Sequence, residues 1–118
     1  MVELYGYTSC SSCRKTDEML KSSGAEYVYR DYFRQRFSQV ELVGLLNRAG
    51  LTPREILSTR SKVYQSRAAE IDSLDDDALL MLMLEEPTLL RRPVVMGSGD
   101  VVIGHRPAKL TALIEQAN

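Results

Sequence analysis

Two cysteines separated by two residues, Cys10-Ser11-Ser12-Cys13, are the only thiols in the sequence. A bridge closing so short a loop removes little chain entropy, so the pair is a poor staple for a fold, and the spacing points to redox or metal chemistry. The pair follows Val2-Glu3-Leu4-Tyr5-Gly6-Tyr7, an alternating segment that reads as a strand. It opens Ser11 to Ser23, a stretch without proline or glycine that reads as a helix. A cysteine at the cap of that helix meets unpaired backbone donors and the positive end of the dipole, and both stabilise a thiolate. Cys10 is therefore the expected nucleophile. Cys13 lies nearly one turn further along the same side, where it can reach an adduct on Cys10 and expel it as a disulfide. Arg14 and Lys15 follow at once. Cations in a first turn oppose the dipole, an effect that a nearby thiolate or anion offsets.

The alternatives are a zinc half-site and two inert core thiols. Zinc takes four ligands, and outside the pair the chain offers only His105 and carboxylates, so no metal is expected. His105 has no partner at metal-ligand spacing and sits beside a strand end, so it is given no catalytic role. Ser11 and Ser12 have no base at useful spacing, which leaves serine-nucleophile catalysis without support.

The elements that must hold the cysteines form a simple order. Gly24 suits a left-handed helix cap, and the inward face of the first helix is Cys13, Thr16 and Leu20, with Met19 at its edge. Glu26-Tyr27-Val28-Tyr29-Arg30-Asp31 is a second strand, which completes a β-α-β unit with parallel strands. Ser38-Gln39-Val40-Glu41 is a capping box ahead of an apolar stripe of Leu42, Leu45, Leu46 and Ala49. Thr52-Pro53-Arg54-Glu55 repeats the box with proline at the first helical position. Asp75, Asp76 and Asp77, after Ser73, mark the start of a largely buried helix through Ala78-Leu79-Leu80-Met81-Leu82-Met83-Leu84, closed by Glu85-Glu86-Pro87. Arg92 to Met96 and Val101 to Ile103 are strand-like about a Gly97-Ser98-Gly99-Asp100 turn, and Pro107 to Gln116 is the last helix. The order is β-α-β, helices, β-β-α, with no internal repeat.

The 118 residues allow one domain, and 44% apolar with 26% charged residues is the composition of a chain with an ordinary core. The net charge of −1 offers no global field for nucleic acid or an anionic membrane, so any anion site must be built locally. Tyr27, Tyr29, Tyr32, Phe33 and Phe37 interleave with Arg30, Arg34 and Arg36, but in a neutral chain and a strand register this reads as sheet packing and an edge loop. The longest apolar run, Ala78 to Leu84, is far short of a bilayer span. No charged leader with an apolar region opens the sequence, so a cytoplasmic protein is expected. A monomer is expected as well.

Tyr5-Gly6-Tyr7-Thr8-Ser9-Cys10-Ser11-Ser12-Cys13-Arg14-Lys15, Ile56-Leu57-Ser58-Thr59-Arg60-Ser61-Lys62 and Leu89-Leu90-Arg91-Arg92-Pro93-Val94-Val95 together resemble the ArsC/Spx family, over essentially the whole chain. The resemblance implies an α/β thioredoxin-like fold, β-α-β then β-β-α on a mixed central sheet. It also implies a single domain over residues 1–118 with a helical insertion at about 38–90. It implies an ArsC-type arsenate reductase, in which Cys10 attacks an oxyanion held by Arg60, Arg92 and Arg106 and Cys13 resolves the adduct. Guanidinium forks suit a tetrahedral oxyanion, and their charge favours a thiolate. Pro93 matches the family's cis-proline. No bound cofactor is implied, and electrons would come from thioredoxin or from glutathione and glutaredoxin. The other branch, Spx-type regulators that bind RNA polymerase through the C-terminal domain of its α subunit, uses a CxxC as a redox switch. Its members normally continue beyond the final helix and lack an arginine matching Arg106, and these two features favour the enzyme. Among the arginines, Arg92 is best placed because it precedes the proline, whereas Arg91 is expected to be exposed.

Overall fold

The strand pattern at the N-terminus has the physical outcome that alternation predicts. In the computed structural model, which describes residues 1–117, β1 (Val2–Gly6) buries Val2, Leu4 and Gly6 and leaves Glu3 and Tyr5 half-buried. It continues through α1 (Ser11–Ser23) into β2 (Tyr27–Asp31), which pairs with β1 in parallel from Val2↔Tyr27 to Gly6↔Asp31. α1 is capped at its start by Cys10 and at its end by Gly24 in the left-handed region, φ 74°. Its buried residues are Cys13, Thr16 and Leu20, as the periodicity predicts.

Two compact units divide the chain: Met1–Gln35 joined by the segment from Arg92 onward, and Arg36–Arg91. In the first, β3 (Val94–Met96) and β4 (Val101–Ile103) pair antiparallel, β3 also pairs antiparallel with β1, and the sheet order is β2-β1-β3-β4. The sheet is thus mixed, as expected. Leu4, Val95 and Val102 form one cross-strand row, and Val2, Leu20, Leu110, Leu113 and Ile114 complete the core on that face. Both α1 and the last helix, α6 (Pro107–Ala117), contribute to this core, and the two helices touch each other. The third strand begins at Val94 rather than at Arg92, because Pro93 has no N–H for a ladder.

The second unit is helical. α2 (Gln39–Ala49) starts at the Ser38 capping box, with Ser38 and Glu41 each bonding the other's backbone N–H. The Thr52 box is also formed, but it opens only a 3₁₀ turn, Pro53–Ile56, because Leu57 at once enters an antiparallel bridge with Leu90. Two short helices, α3 (Lys62–Ser66) and α4 (Ala68–Asp72), have no counterpart in the sequence reading; five residues each are too few to display a period. Arg54 ties this region down, its guanidinium donating to the carbonyls of Ile71 at 3.1 Å and Leu74 at 2.6 Å.

The helix α5 (Asp76–Glu85) corrects one expectation. Asp75 is its N-cap, accepting from the Ala78 N–H at 2.8 Å, with Asp76 and Asp77 in the first turn. The apolar run is not buried all round: Leu79, Leu80 and Met83 are buried, while Met81 is 48% exposed. Seven successive apolar residues encircle a helix, and packing covers one side of it. Among the described residues, no helix is long and apolar enough to cross a membrane.

Leu20 is fully buried between α1 and the sheet. Leu20→Ala should cost about 2–5 kcal/mol of unfolding free energy and Asp75→Ala about 1 kcal/mol, both read from urea midpoints at unchanged slope.

Candidate functional site

The cysteine pair is held by the strand-to-helix junction of the first unit. The Cys10 N–H donates to the Tyr7 carbonyl at 3.2 Å, and the Cys10 carbonyl accepts the Arg14 N–H at 3.0 Å. Cys10 has extended backbone angles, φ −88° and ψ 118°, and its sulfur accepts the backbone N–H of Cys13 at 3.3 Å. The nucleophile expected from sequence is therefore the helix cap itself. The sulfur thus serves as the side-chain acceptor for an otherwise unpaired N–H at the start of α1. Cys10 is half-buried and Cys13 fully buried, and both are free thiols.

Cys13 has the opposite character. Burial pushes its thiol up to about 12, and the neighbouring Cys10 sulfur acts in the same direction. A hydrogen bond with the Tyr7 backbone and the charge of Arg92 pull the other way and are outweighed. The sulfur is pressed against the strand at Gly6, where a Cβ would stand 2.7 Å from Cys13 Sγ and 3.0 Å from its Cβ. Only a residue without a side chain lets the helix approach so closely.

Of the three predicted arginines, Arg92 is the one whose place beside the thiols is defined by contacts. Its guanidinium lies over the Tyr7 ring, 4.9 Å from the centroid, and its charge reaches Cys13, Tyr7 and Tyr32. Tyr7 stacks on Phe33 with centroids 3.9 Å apart, and Tyr32 meets both rings edge-on. Arg92 leads into a cis peptide bond with the buried Pro93. Arg106 is exposed at the head of α6, where its carbonyl accepts the Leu110 N–H. Arg60 belongs to the second unit. It is exposed beside Ser61, which is buried and shares a 2.9 Å hydrogen bond with Thr88, while the Ser58 N–H donates to the Leu89 carbonyl. Arg91 is exposed, as expected. Arg14 folds back to donate to the Thr8 carbonyl at 2.9 Å, so it braces the loop before the helix.

Several contributors are absent from the sequence reading. Tyr7 supports Arg92 with its ring and the cysteines with its backbone. Gly6 admits the Cys13 sulfur, and an isolated glycine inside a strand pattern is the signal that could have found it. His105 is engaged structurally: its Nδ1 lies 2.9 Å from Oγ1 of the buried Thr16, linking the turn before α6 to α1. Among the described residues, no group of three or more His, Cys, Asp or Glu side chains could hold a metal ion.

A model of the ArsC family matches residues 5–113. The chain belongs to the ArsC family. Its curated relatives include the regulatory protein MgsR of Bacillus subtilis, 37% identical over 109 residues that cover 92% of this chain and 86% of MgsR. They also include the global transcriptional regulator Spx 1 of Lactococcus lactis, 35% identical over 114 residues, 97% of this chain and 89% of that one. Among solved structures, the arsenate reductase from Vibrio cholerae is similar with a TM-score of 0.82 and 28% identity, covering 95% of this chain and 96% of the other. The thioredoxin-like ArsC architecture is thus shared by regulators and reductases.

The contrast between the sulfurs has measurable consequences. Iodoacetamide near neutral pH should modify Cys10 and spare Cys13 until the chain unfolds; equal labelling of both in the folded protein would contradict the geometry. Unfolded Cys13 titrates near 9 and the folded thiol near 12, so folding is favoured by this group below pH 9 and progressively loses that advantage as pH rises between those values. Cys13→Ala should flatten that alkaline fall in urea-measured stability. Gly6→Ala should cost about 1–3 kcal/mol by overpacking against Cys13.

Proposed function

We propose that the protein is a thiol-disulfide oxidoreductase of the ArsC-type arsenate reductase kind, in which Cys10 is the attacking sulfur and Cys13 the resolving sulfur. One observation carries this reading: an accessible sulfur caps α1 and accepts the N–H of a second, buried cysteine on the next turn. The first step is attack by Cys10 on an oxidised centre. In the second, Cys13 displaces the reduced product and a Cys10–Cys13 disulfide forms. Arg92, held over Tyr7, supplies positive charge at the site and a bidentate donor for an anionic substrate. Arg106 is a further oxyanion ligand in this proposal, with arsenate as the substrate. Thioredoxin, or glutathione with glutaredoxin, would return the disulfide to the dithiol.

The test is arsenate-dependent consumption of a thioredoxin- or glutaredoxin-coupled reductant by protein whose thiols are first shown to be reduced. Cys10→Ser should abolish turnover. Arg92→Ala should lower kcat/KM roughly ten- to hundredfold, the value of one charge-assisted hydrogen bond of about 1.5–3 kcal/mol. Absence of turnover with either donor would remove arsenate as substrate and leave the dithiol-disulfide couple standing.

A second reading is favoured by the 37% and 35% identity to MgsR and Spx 1. Here the same disulfide is a switch, and its output is docking on RNA polymerase at the C-terminal domain of the α subunit. The result expected of a regulator is capture of that domain to a different extent by reduced and oxidised protein, together with no arsenate turnover.

A further inference from the structure

Tyr29 carries a buried hydroxyl that no part of the mechanism above uses. It stands on β2 opposite Leu4, with its ring packed against the core under α1. Its oxygen is shielded from solvent and makes no hydrogen bond among the described residues. Buried hydroxyls are almost always paired, and an unpaired one is a cost that calls for a physical explanation. The oxygen stands 3.7 Å from the point where a Gly6 Cβ would be, and Cys13 Sγ stands 2.7 Å from the same point. The phenol oxygen and the Cys13 sulfur thus both border the backbone of Gly6.

We propose that Tyr29 is a positioning residue for disulfide exchange, its hydroxyl donating a hydrogen bond to the Cys13 sulfur whenever that sulfur carries negative charge. This rests on the dithiol-disulfide reading of Cys10 and Cys13. In the dithiol the Tyr29 hydroxyl is not in hydrogen-bonding geometry with the Cys13 sulfur, which when neutral is a weak acceptor. When the thiol gives up its proton, the sulfur becomes a strong acceptor in a site of low dielectric, and in this proposal a small movement of the phenol brings its O–H onto the sulfur. Burial raises the Tyr29 hydroxyl to about 12, with the charge on Cys13 the largest electrostatic contribution, so the phenol keeps its proton and acts as a donor, not as a base. The other groups acting on Cys13 are the Cys10 sulfur, the Tyr7 backbone and Arg92, and those acting on Tyr29 are Asp31, Asp17 and Cys10.

The exchange step starts from a glutathione adduct on Cys10. The S–H of Cys13 loses its proton and a Cys10–Cys13 S–S bond forms. The bond from Cys10 to glutathione sulfur breaks, and the departing sulfur leaves with the electron pair and takes up a proton. Cys13 is oxidised and the glutathione sulfur is reduced. In the reverse direction, Cys13 is the buried leaving thiolate.

The experiment treats fully reduced protein with oxidised glutathione and follows both steps by acid quench and intact mass. Tyr29→Phe removes the hydroxyl and keeps the ring. Formation of the Cys10 adduct should proceed at the parent rate, and its conversion to the internal disulfide should slow roughly tenfold, the scale of one hydrogen bond to a charged group. The urea midpoint of the reduced variant should stay unchanged or rise, because the lost hydroxyl had no partner. An unaltered second step, or equal slowing of both steps with a lowered midpoint, overturns the assignment. Cys13→Ser, which should hold the adduct indefinitely, separates the two readings. If the parent protein also retains its adduct, the dithiol-disulfide reading itself fails and takes the Tyr29 assignment with it. If the parent cyclises and Tyr29→Phe does so equally fast, only the role of Tyr29 is lost.

Discussion

The approach of the Cys13 sulfur to the bare backbone of Gly6 is the constraint on which the rest of the site depends. Any side chain at Gly6 would stand within 3.0 Å of Cys13 and force the first turn of α1 away from the strand. With glycine there, the helix starts directly at the end of β1, its cap falls on Cys10, and its second cysteine is sealed against the sheet. Two thiols three residues apart thereby receive opposite environments. One accepts a helix N–H at a partly open cap, and the other is deprived of water.

Competing influences on Cys13 show which effect governs the pair. The positive charge of Arg92 and a hydrogen bond with the Tyr7 backbone both favour its thiolate, yet loss of hydration outweighs them and moves the thiol up to about 12. The result is a pair of unlike thiols, one partly open to solvent and one buried with its proton firmly held, which is the asymmetry that the proposed dithiol exchange requires. Arg92 is held over the stacked Tyr7 and Phe33 rings, so a positive charge sits at the mouth of this arrangement on a rigid aromatic support.

The chain is similar both to proteins described as regulators and to one described as an arsenate reductase, so the fold by itself does not choose between the two uses. The second unit contributes its own scaffold of capped helices, and Arg60 is displayed from a segment pinned by Ser58 and Ser61. An exposed arginine on a pinned segment is suited to meet an anion or an acidic surface.

Much of this was written in local sequence. The strand before Cys10, the α1 face of Cys13, Thr16 and Leu20, the Gly24 cap, the Ser38 box and the hairpin about Gly97 to Asp100 all follow from period, capping and turn chemistry acting within a few residues. The cis peptide at Pro93 was expected only through the family resemblance, since composition and spacing say nothing about isomer. Local pattern misjudged α5, because an all-apolar run does not say which side will be covered, and it missed the five-residue helices, which are shorter than the signal that reveals helices. What only the tertiary structure decided is the set of contacts between residues distant in the chain: Arg92 over Tyr7, His105 against Thr16, and Tyr29 beside Cys13 and Gly6. The sequence determined that a cysteine would cap a helix, since a cap is fixed by its immediate neighbours. Periodicity already put Cys13 on the inward face, but how closely its sulfur approaches Gly6 and Tyr29 depends on strands brought alongside by pairing, and no pattern along the chain records that approach.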